Sequence, residues 1–474
     1  NDAKAVERRG HLLASLDAED FDSQYEMSNP KKENRWSFRP SDIASAYLGW
    51  PKVINLCVVP PYNGPVERRG FALISMGKDL LADRISSYFD ETVSDDEIKN
   101  IHSSLMMTGN RIIGPEARKK ILNEFQYDES RIVRYPFKPW DVRWCYLDNL
   151  RPLFSEPSPQ LLNQRFSGNS FFITRDTADK DPEGPPFFFS SVVCDYDFIS
   201  GHARHFPLFL KKREDQKASR QLNGSHILPG MEQEAEKITA NLSLTARAYL
   251  ASLNLPNPDT DRETAEMIWY HALAVGYSPA YLDENADGIR QDWPRIPLPQ
   301  AKEALIASAA LGRRVAGLLD TETPVPGVTA GKIPEELKPI AVFQCLDGSP
   351  ARPENGDLDL TAGWGHAGKG GVTMPGKGKP VRRDDGAYDI FLNEEACWRN
   401  VSEAVWEYTI GGYQVIKKWL SYREKSLLGR GLTPEEVRYV TEMARRLTAL
   451  VALRPDLDAN YRDVIRATYP WQQT

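Results

Sequence analysis

Basic side chains set among glycines are the residues of this 474-residue chain with the clearest chemical use. From Gly363 to Arg383 the sequence GWGHAGKGGVTMPGKGKPVRR holds seven glycines, five basic residues (Lys369, Lys377, Lys379, Arg382 and Arg383) and no acid. A flexible basic loop can follow a phosphate backbone and release counterions on contact; the same composition equally suits a solvated loop that is basic by chance. A second pair, Arg68-Arg69, lies between Gly64 and Gly70. Guanidinium forks on a hairpin rim have the geometry that reads guanine edges in a major groove. A weaker cluster, Arg204 to Arg220, is interrupted by Glu214 and Asp215. The formal net charge of −7 argues against a generally basic nucleic-acid binder, so local charge must carry any such role.

Bond-making chemistry is harder to place. The string VVPPYNG at Val58 to Gly64 shares its Pro-Pro-Tyr with the Asn/Asp-Pro-Pro-Tyr motif by which amino-methyltransferases hold a target amine and stack a flipped base. Here Val59 stands where the polar acceptor belongs, and no glycine-rich cofactor loop follows a strand upstream. A proline-bounded turn between strands is the better account. His202 and His205 in GHARH have the spacing of some metal ligands, but no cysteine is near and Asp195 and Asp197 are the only close acids. They read as a turn before FPLFL. No GxSxG elbow exists, and the seven histidines lack a distinctive context. The sequence therefore assigns no catalytic residue, no metal ligand and no cofactor to this chain.

The elements that must position these side chains divide at a polar segment, Lys211 to Gly230. Before it, short β-rich runs (INLCVV, GFALIS, RIVRY, VRWCYL, SFFITR, PFFFSSVV, FPLFL) alternate with helical interruptions near Lys78 to Phe89 and Pro115 to Phe125. After it, apolar residues at helical spacing predict helices over Glu232 to Leu253, Asp261 to Val275, Ala280 to Arg290 and Gln300 to Leu319, and others starting at Val401, Tyr413, Thr433 and Asp458. Thr433-Pro434-Glu435-Glu436 supplies a cap, a proline at the first helical position and acids at the positive end of the dipole. In VWEYTIGGYQVIKKWL, Val405 to Leu420, Gly411-Gly412 marks a break in an otherwise helical run. That segment predicts a core-forming helical hairpin with Lys417, Lys418 and Arg423 off its buried face. The fold class is α+β: residues 1–50 form a short helix from Val6 to Leu16, an acidic connector and a turn capped at Ser41-Asp42; 51–230 form a β-rich lobe; and 231–474 form a mostly helical lobe with a β insertion at 337–392.

A chain of this length ordinarily needs more than one core, and 41% apolar with 10% aromatic residues suffices to fill them. Mean hydropathy is −0.49 and no run of about 18 apolar residues exists, so no membrane span is expected. Five scattered cysteines without CxxC spacing point to a reducing, cytoplasmic setting. Asn1 at the start, with no apolar signal core after it, suggests a fragment or processed product.

Several strings, in one order across nearly the whole chain, are similar to the C-terminal specificity (target-recognition) region of type ISP single-chain restriction-modification enzymes and related adenine-specific DNA methyltransferases. They are WSFRP at Trp36 to Pro40, NGPVERRGFAL, PFKPWDVRWCYL at Pro136 to Leu147, FFFSSVVCDYDFISGHARHFPLFL at Phe187 to Leu210, DWPRIPLP at Asp292 to Pro299 and the segment Val405 to Leu420. PFKPWDVRWCYL resembles the family's PFDxRxxYY element, with extra residues before Asp141. The arginine turn reads Arg68-Arg69-Gly70 where the family has Gly-Arg-Asp or Asn-Arg-Asp.

The resemblance implies a bacterial defence protein acting on double-stranded DNA, with a methyltransferase domain on the same polypeptide or a partner, and in some members a helicase and nuclease. S-adenosylmethionine would bind in the parent enzyme, and residues 1–50 would be the tail of the methyltransferase fold or its connector. On charge and glycine context, the expected DNA contacts are Arg68, Arg69, Lys369, Lys377, Lys379, Arg382 and Arg383. Asp141 and Arg143 are expected to form a buried structural ion pair, and Gly411 and Gly412 to serve the fold. The rival reading is a protein-interaction scaffold that docks a motor or nuclease, suggested by net acidity and the tryptophan-rich C-terminal helices.

Overall fold

The computed structural model describes residues 5–20, 23, 25–30, 36, 38, 42–109, 112–178, 180–213, 236–367 and 373–471. The expected cap at Ser41, most of the polar segment including Lys217 and Arg220, and Lys369 lie outside them. The fold is α+β: helices alternate with small, separate antiparallel sheets.

Two hydrophobic cores organise it. The smaller gathers Ala72 to Phe154 and Tyr422 around a three-stranded sheet in the order Ile74–Ser75, Asp141–Tyr146, Ile132–Lys138, backed by helices Lys78–Tyr88, Asp95–Ile101 and Gly114–Glu124. The larger runs from Tyr47 to Tyr461, so β-rich and helical segments share it. At its centre is a second sheet, ordered Tyr62–Asn63, Arg204–Pro207, Phe171–Thr174, Phe188–Ser190. Every residue of its strands Phe171–Thr174 and Phe188–Ser190 is buried, as a sheet covered on both faces requires.

That cover comes from the helix Arg262–Gly276, buried from Thr264 onward. Phe172 and Phe206 pack on its Trp269 at ring distances of 5.2 and 5.8 Å. Each aromatic ring so enclosed stabilises the fold by roughly 1.5–3 kcal/mol. The helix Lys302–Leu319 crosses it at Gly312, where a Cβ would stand 1.7 Å from the Tyr270 carbonyl oxygen. The predicted capping box is present: Thr433 accepts from the Glu436 N–H at the start of Pro434–Ala452.

The two cores are joined at a hairpin tip. Lys138 pairs with Asp141, so Pro139-Trp140 is a two-residue turn with Trp140 at φ +59°. The Trp140 indole N–H donates to the Leu319 carbonyl (2.8 Å), and the Tyr439 hydroxyl donates to the Trp140 carbonyl (2.8 Å).

Some predicted elements differ. The run INLCVV forms a 3-10 turn at Val53–Leu56. The expected helix from Glu232 instead opens with strand Glu236–Ala240, paired with Phe209–Arg213, and turns helical only at Leu244, where Ser243 caps the new helix. The helix expected from Ala280 is two, Pro279–Glu284 and Ala286–Gln291, broken at Asn285. Val401 ends a strand, Ala396–Val401.

The largest correction concerns Val405 to Leu420. A short helix, Glu403–Trp406, leads into a β-hairpin of Thr409–Ile410 with Tyr413–Gln414, and the helix Val415–Ser421 follows. Gly411 and Gly412, at φ +55° and +80°, make the two-residue turn, a conformation that two consecutive L side chains resist. A Cβ on Gly411 would lie 2.3 Å from Ile199 Cγ2. Both the turn and the close approach therefore need glycine.

Candidate nucleic-acid interface

The arginine turn is fastened from inside by an acid that precedes it. Glu67 is buried, and its carboxylate accepts from the backbone N–H groups of Arg69 (3.0 Å), Phe71 (3.2 Å) and Leu73 (3.0 Å). Arg69 turns inward as well. It is 2% exposed, and its guanidinium donates to the carbonyls of Leu105 (2.5 Å), Pro152 (3.4 Å) and Leu153 (3.5 Å). Arg68, at φ +47°, is the exposed member of the pair. The expectation of two outward forks is thus corrected to one: Arg69 is occupied in holding the loop shape that displays Arg68.

Asp141 is fully buried between two guanidiniums. Its Oδ2 meets Arg143 Nη2 at 2.6 Å and its Oδ1 meets Arg423 Nη2 at 2.7 Å. Burial alone would raise the Asp141 carboxyl, but Arg143 and Arg423 outweigh it and hold the group at about 2. Arg143 lies over Phe137 and Tyr422, and Arg423 over Trp419, at 4.1, 4.5 and 3.8 Å. The ion triad therefore ties the small β-lobe to the C-terminal helix. Lys418 and Arg423, expected off the buried face, are both buried. Burial, then the nearby charge of Lys138, lowers Lys418 to about 8. Helical spacing gives no sign of this, because the partners arrive from distant segments.

The glycine-rich basic segment is more ordered and less free than its composition suggests. Its described parts form the hairpin Gly365–Ala367 with Thr373–Pro375 and the edge strand Pro380–Arg382. Gly378, at φ +63°, lies so close to the buried Trp364 ring that a Cβ would be 2.0 Å from it. Here glycine serves close packing rather than looseness. Lys377 is exposed. Lys379 pairs with Glu394 (2.6 Å), Arg382 with Glu403 (3.3 Å), and Arg383 with Asp385 (3.2 Å) and Asp389 (3.5 Å). A stretch without acids in sequence is thus partly neutralised in space. Exposed pairs of this kind contribute about 0–1 kcal/mol each, so a phosphate can displace the carboxylate.

The two strings that invited catalytic readings are neighbours. Tyr62 pairs with His205 and Asn63 with Arg204 across adjacent strands. The Val58 and Val59 N–H groups donate to Asn241 Oδ1, so this turn is a structural one. His205 is buried, accepts the Cys194 N–H on Nε2 (3.1 Å), and is held neutral by burial, which lowers it to about 3. His202 is exposed and stacks on Tyr196 with ring centroids 4.2 Å apart. The two histidines therefore do not converge. Among the described residues, no group of three or more His, Cys, Asp and Glu could hold a metal.

Comparison with known proteins places this arrangement. The chain matches the family model described as the Type ISP C-terminal specificity domain over residues 62–448. No curated protein matches it by sequence. Among solved structures it is similar to the "ATP-dependent Type ISP restriction-modification enzyme LlaBIII bound to DNA" (14% identity, TM-score 0.55, covering 88% of this chain and 24% of that one). It is also similar to a "nuclease-deletion mutant of the Type ISP restriction-modification enzyme LlaGI in complex with a DNA substrate mimic" (15%, 0.50, 90% and 30%) and to a "DrdV-DNA complex" (16%, 0.56, 98% and 42%). At these identities the likeness is one of fold, and the chain spans less than half the length of each.

Proposed function

The chain belongs to the family of Type ISP C-terminal specificity domains, and on that premise we propose that it recognises a specific sequence in double-stranded DNA for a bacterial restriction-modification enzyme. The observation that carries the reading is the family match across most of the chain. The fold shared with enzymes described as bound to DNA supports it, and the scaffold reading is not favoured. No described helix is long and apolar enough to cross a membrane.

Labour divides in this proposal. Arg68, Lys377, Lys379, Arg382 and Arg383, together with Lys369, bind phosphates and set register, while other side chains read base edges. The β-rich lobe at 51–230 supplies groove-reading loops, and the lobe at 231–474 closes behind the duplex with the basic insertion. Adenine methylation belongs to a catalytic domain beyond this chain, on the same polypeptide or a partner, with helicase and nuclease domains as further associates in the bacterial cytoplasm. S-adenosylmethionine is assigned to that catalytic domain: Val59 offers no acceptor for an amine, and its turn is fastened by Asn241.

The test is selection of duplexes from a randomised pool by the chain, followed by sequencing. Enrichment of one common motif is expected. Retention without enrichment would refute target recognition.

A further inference from the structure

We infer that His202, on the loop Asp195 to Ala203, reads one amine-bearing base, adenine or cytosine, in the major groove of the target. The inference rests on the target-recognition reading and names a residue and a base chemistry for it.

The loop is a rigid mount. At its base the Ala203 N–H donates to the Tyr196 carbonyl (2.8 Å) and the Tyr196 N–H to the Pro65 carbonyl (3.2 Å). Phe198 and Ile199 are buried beneath it, and the Ser200 N–H donates to the Gly411 carbonyl (2.8 Å). The Gly411-Gly412 hairpin thus doubles as the loop's floor. Asp195 holds the near side, accepting the Asp197 N–H (2.8 Å) and the Tyr135 hydroxyl (2.9 Å). Gly201 and His202 follow each other at φ +78° and +71°. A histidine kept in the left-handed region by such surroundings is strained in the manner of residues that serve a site.

The ring on this mount is fixed in orientation and in tautomer. It lies nearly parallel to Tyr196, at an interplanar angle of 15°. Arg204 sits over the same tyrosine, 5.9 Å from its centroid. Asp197 Oδ1 lies 3.0 Å from His202 Nδ1. An ionised carboxylate only accepts, so Nδ1 carries the proton, and in the neutral ring Nε2 is left as an acceptor. The His202 and Asp197 side chains are 48% and 57% exposed, so this acceptor is within reach of a ligand. In the major groove the partners for a lone acceptor are the exocyclic amines of adenine and cytosine. Arg68 lies five residues beyond Asn63, the strand partner of Arg204, which places a phosphate-binding cation on an adjoining segment.

The test repeats the duplex selection with the whole chain, its His202→Ala variant and its Asp197→Ala variant at one salt concentration. Wild type is expected to prefer adenine or cytosine at one position by about fivefold or more. His202→Ala should lose that preference and keep every other position and the salt slope. Asp197→Ala leaves the ring but frees its tautomer, so the same position should relax. A His202→Ala profile equal to wild type, or loss at all positions alike, would overturn the assignment, as would an Asp197→Ala profile that keeps the full preference. An unselective wild type would instead remove target recognition itself, and this residue's role with it. Both side chains are exposed, so unchanged melting temperatures are expected; were one variant to unfold, the other carries the test.

Discussion

Asp141→Asn removes the negative charge at the centre of the ion triad while keeping the side chain's shape. The amide resembles the protonated acid, so the cost follows from how strongly the fold prefers the charged form. A carboxyl held at about 2 instead of the ordinary 3.8, in a fully buried site, carries about 2.4 kcal/mol of that preference. Breaking a buried pair typically costs 3–5 kcal/mol, because the partners stay buried without compensation. The loss expected near neutral pH is therefore roughly 2–5 kcal/mol, read as a lower urea midpoint at unchanged slope. The pH dependence has a definite sign. The folded value lies below the unfolded one, so the stabilisation is fully present above about 4 and disappears as pH falls toward about 2. The gap between wild type and variant should narrow across that window. A gap under about 0.5 kcal/mol near neutral pH, or one that stays constant down to about pH 2, would refute the account of the triad.

Arg69→Met is expected to destabilise by about 1–3 kcal/mol, because the carbonyls of Leu105, Pro152 and Leu153 lose their donor, whereas Arg68→Ala should leave the melting temperature unchanged and weaken DNA retention. Equal melting losses in the two would contradict the inward and outward assignment. Gly411→Ala should cost more than about 1 kcal/mol and lower the melting temperature, since a Cβ there meets both a left-handed backbone and Ile199. Reversing the charges of Lys377, Lys379, Arg382 and Arg383 together should flatten the dependence of log affinity on log salt by up to about 3.6, at about 0.9 for each phosphate no longer neutralised. An unchanged slope in fluorescence anisotropy would remove that segment from the interface.

The sequence revealed those parts of the fold that local pattern decides. The helices Arg262–Gly276, Lys302–Leu319 and Pro434–Ala452 carry their apolar spacing and, in the last case, a capping box, so they stand within a residue or two of where they were expected. What local pattern could not decide was set by distant partners. Glu236–Ala240 is a strand because Phe209–Arg213 lies beside it. Lys418 and Arg423 are buried because Asp141, Tyr413, Tyr422 and Trp419 surround them, which helical periodicity cannot report. The same blindness affected the site. The basic segment had no acid within it, yet Glu394, Glu403, Asp385 and Asp389 reach it from neighbouring turns and strands. In GHARH the spacing of the histidines suggested a shared ligand, whereas the strand pairing of His205 buries one ring and leaves the other outside. The Gly-Gly pair marked a close approach correctly but did not disclose that the approach was to Ile199, under the loop that carries His202.

The most direct test of the central claim is competition between a duplex selected by the chain and a scrambled duplex of the same composition, at physiological salt. Target recognition requires a preference on the order of a thousandfold or more for the selected sequence. Equal retention of the two would mean that the basic surface holds DNA without choosing it.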